Sequence, residues 1–149
     1  MMSEAVRGFV KGGNEMDRQE QNFERMRNNA FVNAVGIELD ALEEDRAVFR
    51  LQIGPAHRNS YGSLHGGVLF TMADAAAGAA VRTDGRDYVT QNVGLNYLRG
   101  QREGLVRAEA MVRHRGTRTC LVEVSLTGEG GKLLATGMLT FFCVTPGGK

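Results

Sequence analysis

Residues 68–81 read VLFTMADAAAGAAV, fourteen positions of which only Thr71 and Asp74 carry polar side chains. Alanine is the strongest helix former, and a helix that is apolar nearly all round is stable in water only when other elements surround it. This segment therefore demands a wrapper, and the rest of the chain has to supply it.

The wrapper is readable on both sides. Four segments of alternating apolar and polar residues follow, at 88–98, 105–113, 117–127 and 132–144, with short Gly-bearing turns at 100–104, 116 and 128–131. Period-two alternation predicts strands, and the turns predict successive antiparallel hairpins. Upstream, residues 37–53 alternate around a polar turn at 43–46 and predict one more hairpin. Before that, Phe23, Met26, Arg27, Ala30, Phe31 and Ala34 recur at helical spacing, predicting one amphipathic helix over residues 17–35 that closes at Gly36. Residues 1–16 show no sustained period and are expected to form a disordered extension, leaving a single domain over 17–149. Strands, one buried helix, then strands predict an α+β fold rather than a parallel βαβ one.

A chain of 149 residues can bury a sizeable core without disulfide or metal support. Its 18 Lys and Arg against 17 Asp and Glu argue against nucleic-acid binding through net charge. No apolar run reaches the ~18 residues of a membrane span, and residues 1–30 carry charges throughout, so no membrane partner and a cytoplasmic location are expected. Cys120 and Cys143 fall in apolar strand contexts and are expected to be reduced core residues. Neither forms metal-ligand spacing with His57, His65 or His114, so no metal site is expected.

Asp74 sits two turns inside the apolar helix, too deep to serve as an N-cap or to meet the helix dipole. An acid among alanines either gains a partner such as Arg82 or Arg86, or faces a cleft where it does chemistry. Gly78, one turn on, favours the cleft, because a side chain there would lean back over the acid. His65-Gly66-Gly67 opens the same helix, where unpaired N–H groups and two glycines make a place for an oxyanion. Glycines at such a junction also have a purely conformational use, and a lone histidine there is commonly structural. Gly66 and Asp74 are eight residues apart, about 12 Å along the helix axis. One substrate carbonyl cannot touch both, so a site using both draws them from two chains of a two-fold dimer.

The string Asn59-Ser-Tyr-Gly-Ser-Leu-His65-Gly66-Gly67, with Asp74 inside LFTMADAAAGAA, resembles the hotdog-fold acyl-CoA thioesterases of the phenylacetate-pathway (PaaI-type) group. The likeness continues through VTQNVGLNYLRG, VRAEAMVRHRGTRTCLVEVSL and GKLLATGMLTFFCV, covering roughly residues 30–145. It implies a curved antiparallel sheet wrapped around one long central helix, with an N-terminal helix, assembled as homodimers that pair into homotetramers. It further implies hydrolysis of an aryl-, short- or medium-chain acyl-CoA, without a cofactor. By position, Asp74 matches the catalytic carboxylate, as general base or nucleophile. Gly66 matches the oxyanion donor, His65 and Asn59 match orienting residues, and Thr90 matches a hydroxyl near the carboxylate. The alternative on the same fold is a non-catalytic acyl-CoA-binding module or ligand sensor, which would not need Asp74.

Residues 99–118 hold six arginines against two glutamates. A solvated strand face explains any one of them. Nucleic acid is disfavoured because the aromatics do not interleave with the arginines. The nucleotide phosphates of coenzyme A suit the charge, and by the same resemblance Arg99 and the turn Arg115-Gly116-Thr117-Arg118 are expected to contact the substrate, beside Gly67 at the helix start.

Overall fold

The computed structural model describes residues 13–145; residues 1–12, most of the expected extension, lie outside the described part. Two helices come first, α1 (Gly13–Arg27) and α2 (Ala30–Val35). A hairpin of β1 (Glu38–Glu43) and β2 (Arg46–Gln52) leads through a loop into the central helix α3 (Gly66–Val81). Then come β3 (Tyr88–Tyr97), β4 (Leu105–Arg115), β5 (Thr119–Thr127) and β6 (Leu133–Cys143). The six strands form one antiparallel sheet in the order β1-β2-β4-β5-β6-β3, curved around α3.

The core lies where the sheet meets the helix. Leu69, Met72, Ala73, Ala76, Ala77 and Val81 of α3 are buried against the inward rows of the strands. In β5 that row is Cys120, Val122, Val124 and Leu126, each alternate residue, as the two-residue period of a strand requires. The alanines let the strands approach α3 closely, and Gly137 does the same within the sheet. A Cβ at Gly137 would stand 2.1 Å from the carbonyl oxygen of Gly94, so β3 and β6 close on each other only because residue 137 lacks one. Cys120 and Cys143 are buried and free.

The structure departs from the sequence expectations in two places. The N-terminal helical stretch is broken at residues 28–29, where Asn29 turns extended (φ −68°, ψ 105°) and caps α2 by accepting from the Val32 N–H at 3.2 Å. The break shifts the helical phase, so Val32 points inward and Phe31 is 66% exposed. Gly36 closes α2 in the left-handed conformation, φ 89°, as expected. The second departure concerns β3 and β4, which are not a hairpin. The chain leaves β3 at one edge of the sheet and crosses to β4, while β3 pairs with β6, the last strand. The hairpins β4-β5 and β5-β6 form as expected. No helix among the described residues is long and apolar enough to cross a membrane.

Candidate active site

Asp74 faces a cleft. Its Oδ1 accepts a hydrogen bond from Thr90 Oγ1 at 2.7 Å, the one polar side-chain contact it makes among the described residues. Strand register explains how Thr90 reaches it. Thr90 lies opposite Phe141, whose ring is buried against α3, and residues opposite each other on antiparallel strands share a face. A bulge follows at once, between Thr90 and Asn92, and bulges beside functional sites aim side chains. The acid and its hydroxyl partner border a cavity of about 280 Å³ that also touches Phe70, Thr71, Ala75, Gly78 and Phe141.

Two contributors to that cavity are invisible in the motif. Met26, Asn29, Phe31 and Val32 bring the N-terminal helices over it, so α1 and α2 are part of the site. Arg82 is the other. Gly78 was expected to leave Asp74 uncovered, but the space beside it is occupied: a Cβ at 78 would meet Arg82 Nη1 at 2.7 Å. The guanidinium thus folds back one turn along α3, and the Gly78-to-Arg82 spacing of four residues is the sequence signal that could have found it. Arg82 Nη2 donates to the Tyr88 carbonyl at 2.8 Å. Burial lowers its pKa, while Asp74 and Asp87 attract the charge and Arg25 opposes it.

At the other end of α3, His65 is the N-cap. Its Nδ1 accepts from the Gly67 N–H at 2.8 Å, which leaves Nε2 as the protonated nitrogen and turns it outward. Gly67 is thereby occupied, whereas the Gly66 N–H has no acceptor among the described residues. Tyr97, at the end of β3, packs over this point: its hydroxyl donates to the Gly66 carbonyl at 3.0 Å and its ring lies 3.3 Å from where a Gly66 Cβ would be. Asn59 organises the preceding turn, its Oδ1 accepting from the Tyr61 and Ser63 N–H groups at 3.0 Å each. Its side-chain NH₂ remains available to a ligand. His57 instead bridges the Gly54 N–H and the Val35 carbonyl, a structural role.

The structure places Asp74 and Thr90 together, and places His65, Gly66, Gly67 and Asn59 together. The two groups sit two turns apart on one helix. The arginine-rich turn divides as well. Arg115 is committed inside the fold, donating to Asp45 at 2.6 Å, Asp84 at 2.7 Å and the Val81 carbonyl at 2.9 Å. Arg86 holds the turn from outside by donating to the carbonyls of Thr117 and Gly116. Arg118 is exposed with no side-chain partner among the described residues, and Arg99 makes only a 3.4 Å contact to the Leu133 carbonyl. Among the described residues no group of three His, Cys, Asp or Glu side chains could hold a metal ion.

The profile of the "Thioesterase superfamily" matches residues 61–135, a span that holds the His65-Gly66-Gly67 turn, Asp74 and Thr90. The chain is 34% identical over 109 residues to a 1,4-dihydroxy-2-naphthoyl-CoA hydrolase of Listeria monocytogenes, covering 71% of this chain and 89% of that one. It is 31% identical over 109 residues to the acyl-coenzyme A thioesterase PaaI of Escherichia coli, covering 72% and 78%. The solved structure of that PaaI protein superposes with a TM-score of 0.80 at 27% identity, over 86% of this chain and 94% of the other. A hypothetical thioesterase of Streptococcus pneumoniae, solved with coenzyme A, gives a TM-score of 0.76 at 26% identity, over 81% and 95%.

Proposed function

The chain belongs to the thioesterase superfamily, and on that footing we propose that it is an acyl-CoA thioesterase that splits an aryl-, short- or medium-chain acyl-CoA into free acid and coenzyme A. The observation that carries this reading is Asp74 itself: a carboxylate in an otherwise apolar helix, held by one hydroxyl and open to a cavity. Nothing in the packing of an alanine-rich helix calls for such a group, and thioester hydrolysis does.

The reaction adds water across the thioester. Thr90 holds Oδ1, which leaves Oδ2 to accept a proton from a water or to attack the carbonyl carbon directly. On the general-base route the proton taken from water passes to the departing thiolate as the C–S bond breaks, giving acid and thiol. On the nucleophilic route loss of the thiolate leaves an acyl-Asp74 anhydride, which water then hydrolyses to the free acid and the original carboxylate, the released proton going to the thiolate. The carbonyl oxygen gains negative charge on the way, and the Gly66 N–H at the start of α3 is the donor placed for it, worth about 3 to 4 kcal/mol in the transition state. His65 Nε2–H and the Asn59 amide orient the thioester beside it, with Gly67 fixing the His65 ring. Coenzyme A contributes anionic phosphates, for which Arg118 and Arg99 are the open cations of the turn region. Gly116 and Thr117 shape that turn and Arg115 braces it. The chemistry asks for a carboxylate, amide donors and water.

The site closes only with a second chain. Along α3 the Gly66 donor and Asp74 are about 12 Å apart, beyond the reach of one reacting carbon. β3 is an unpaired sheet edge ten residues long, and Val89, Tyr97 and Leu98 are 49–52% exposed on or beside it. Long bare edges of this kind are templates for pairing. The helix distance and the bare edge support a homodimer joined at β3 with each site built from both chains; the pairing of dimers into a tetramer rests on the family resemblance, and the cytoplasmic location on the charged N-terminal sequence.

The test is thiol release from a panel of acyl-CoA esters by the wild-type protein and by Asp74→Asn, a near-isosteric change that removes the base. A fall in kcat of about 10² or more with an unchanged thermal midpoint is expected. Absence of turnover in the wild type would make the protein an acyl-CoA-binding module, and equal turnover in the variant would remove Asp74 from the chemistry.

A further inference from the structure

Arg82 makes no contact ion pair among the described residues, although Asp74 and Asp87 attract its charge from farther away. Its neighbours in sequence and space are all matched: Arg86 pairs with Asp84 at 2.7 Å, Arg115 with Asp45 and Asp84, and Arg25 with Asp87 at 3.2 Å. Arg82 forms no ion pair among the described residues, and its hydrogen bond to the Tyr88 carbonyl uses one of five N–H donors. The remaining donors are not sealed in protein, because no fully buried side-chain nitrogen or oxygen among the described residues lacks a partner. Arg82 borders two cavities, one shared with Asp87 and Tyr88 and one shared with Asp74, Thr90 and Phe141; Nη1, packed against Gly78, lies on the Asp74 side. Residue 78 is what admits it, since any side chain there would displace the guanidinium.

Asp74 and Gly78 are one helical turn apart, so the guanidinium stands ~5 to 6 Å along the cavity from the level of the catalytic carboxylate. That is the span of a diacid chain of five or six carbons, measured from its thioester carbonyl to its free carboxylate. Ala75 and Phe141, which also line the cavity, are apolar and suit the methylenes. A guanidinium with no contact ion pair, at one side of a cavity of mixed polar and apolar lining, offers planar, paired donors that fit a carboxylate better than any other common acyl substituent. Burial that disfavours the Arg82 charge works in the same direction, because a bound anion offsets it.

We propose that Arg82 is a specificity-determining residue that binds the free carboxylate of an ω-carboxyacyl thioester, making dicarboxylic acyl-CoA esters of five or six carbons the preferred substrates. This rests on the thioesterase reading above. The anchor at Tyr88 keeps the guanidinium in place, the acyl carboxylate accepts from Nε and Nη1, and the thioester carbonyl is left beside Asp74. Unsubstituted chains of equal length leave the cation without a contact ion pair in the cavity and are poorer substrates for that reason.

The experiment compares kcat/KM for glutaryl-CoA and adipyl-CoA with pentanoyl-CoA and hexanoyl-CoA. The wild-type protein should prefer the carboxylated member of each pair by tenfold or more. Arg82→Met should lower kcat/KM for the carboxylated esters about 100-fold more than for the unsubstituted ones. Gly78→Ala, which keeps the charge but pushes the guanidinium aside, should erode the same preference. The wild-type comparison stands even where a variant folds poorly. A wild-type preference for the unsubstituted esters overturns the proposal while leaving the hydrolase intact. So does an equal loss on both classes in Arg82→Met, which would show Arg82 acting through Asp74. Turnover of none of the four esters, nor of any aryl or short-chain ester, removes the thioesterase reading and this proposal with it.

Discussion

Asp74 has one hydrogen-bond donor among the described residues, and that makes Thr90 the cheapest place to disturb the proposed catalytic carboxylate without touching it. Thr90 is exposed and contributes little to the core, so Thr90→Ala should leave the thermal midpoint nearly unchanged. With the 2.7 Å bond gone the carboxylate samples other rotamers, and kcat should fall about 10- to 100-fold. Thr90→Ser, which restores the hydroxyl, should recover most of it. Steady-state rates of the two variants at saturating acyl-CoA decide the matter, and equal rates for Ala and wild type would remove Thr90 from the site. At this scale the acid and the His65-Gly66-Gly67 turn were readable because each breaks the local pattern of its element, whereas Thr90, an ordinary strand residue, was marked only by the family resemblance. Arg82 was readable only as a possible partner for Asp74. Its place in the cavity depends on Gly78 being empty and on the Tyr88 carbonyl lying within reach, and neither is a property of a one-dimensional pattern.

Elements are pinned to one another by charged clusters at their ends. The corner where α3 ends gathers Asp84, Tyr88, Arg86 and Arg115: the Tyr88 hydroxyl donates to Asp84 Oδ2 at 2.6 Å, and Arg115 spans Asp84 and Asp45. Burial alone would raise the Asp84 pKa. The Tyr88 hydroxyl, the Arg86 N–H and side chain, and the Arg115 charge outweigh it and hold the carboxyl below its ordinary 3.8. A depressed acid stabilises the fold above its unfolded pKa and loses that contribution as pH falls through the folded one. Asp84→Asn should therefore be less stable than wild type at pH 7, by about 1 to 2 kcal/mol after discounting for partial exposure, or ~3 to 6 °C in Tm. The gap between the two melting curves should narrow progressively as the pH falls below about 4, and a gap that stays constant down to the acid unfolding of the fold would count against this account. Element types and most boundaries followed from periodicity, while pairings did not always follow. The glycines at 100 and 104 read the same in a tight hairpin as in a crossing loop. Only the fit of β3 against β6, through Gly94 and Gly137, decides between them. Likewise the apolar spacing ran in phase across residues 28–29, and the capping preference of Asn29 ended one helix and began another.

The whole molecule is where the helix length becomes functional. α3 runs through sixteen residues, with the proposed oxyanion donor Gly66 at one end and Asp74 in the middle. Its own length keeps the two from meeting on one substrate, whereas an antiparallel copy across a two-fold axis brings each donor to the other chain's acid. The architecture therefore makes complementation possible between two inactive proteins. Gly66→Pro removes the N–H at the first helical position, where proline is tolerated; His65 already has the extended backbone (φ −65°, ψ 133°) that a following proline favours, and the Tyr97 ring, 3.3 Å from a Cβ at this position, has to give way slightly. Asp74→Asn removes the base. Each variant alone should be inactive. Mixed in equal amounts and allowed to exchange, half of the dimers are hybrids, and each hybrid has one wholly intact site and one carrying both lesions. Activity should therefore rise to about a quarter of the wild-type value. Native mass spectrometry establishes the exchange, and thiol release reads the recovery. Hybrids that form and stay inactive would mean that Gly66 and Asp74 serve the same chain, and the 12 Å between them would then have to be crossed by some donor other than Gly66.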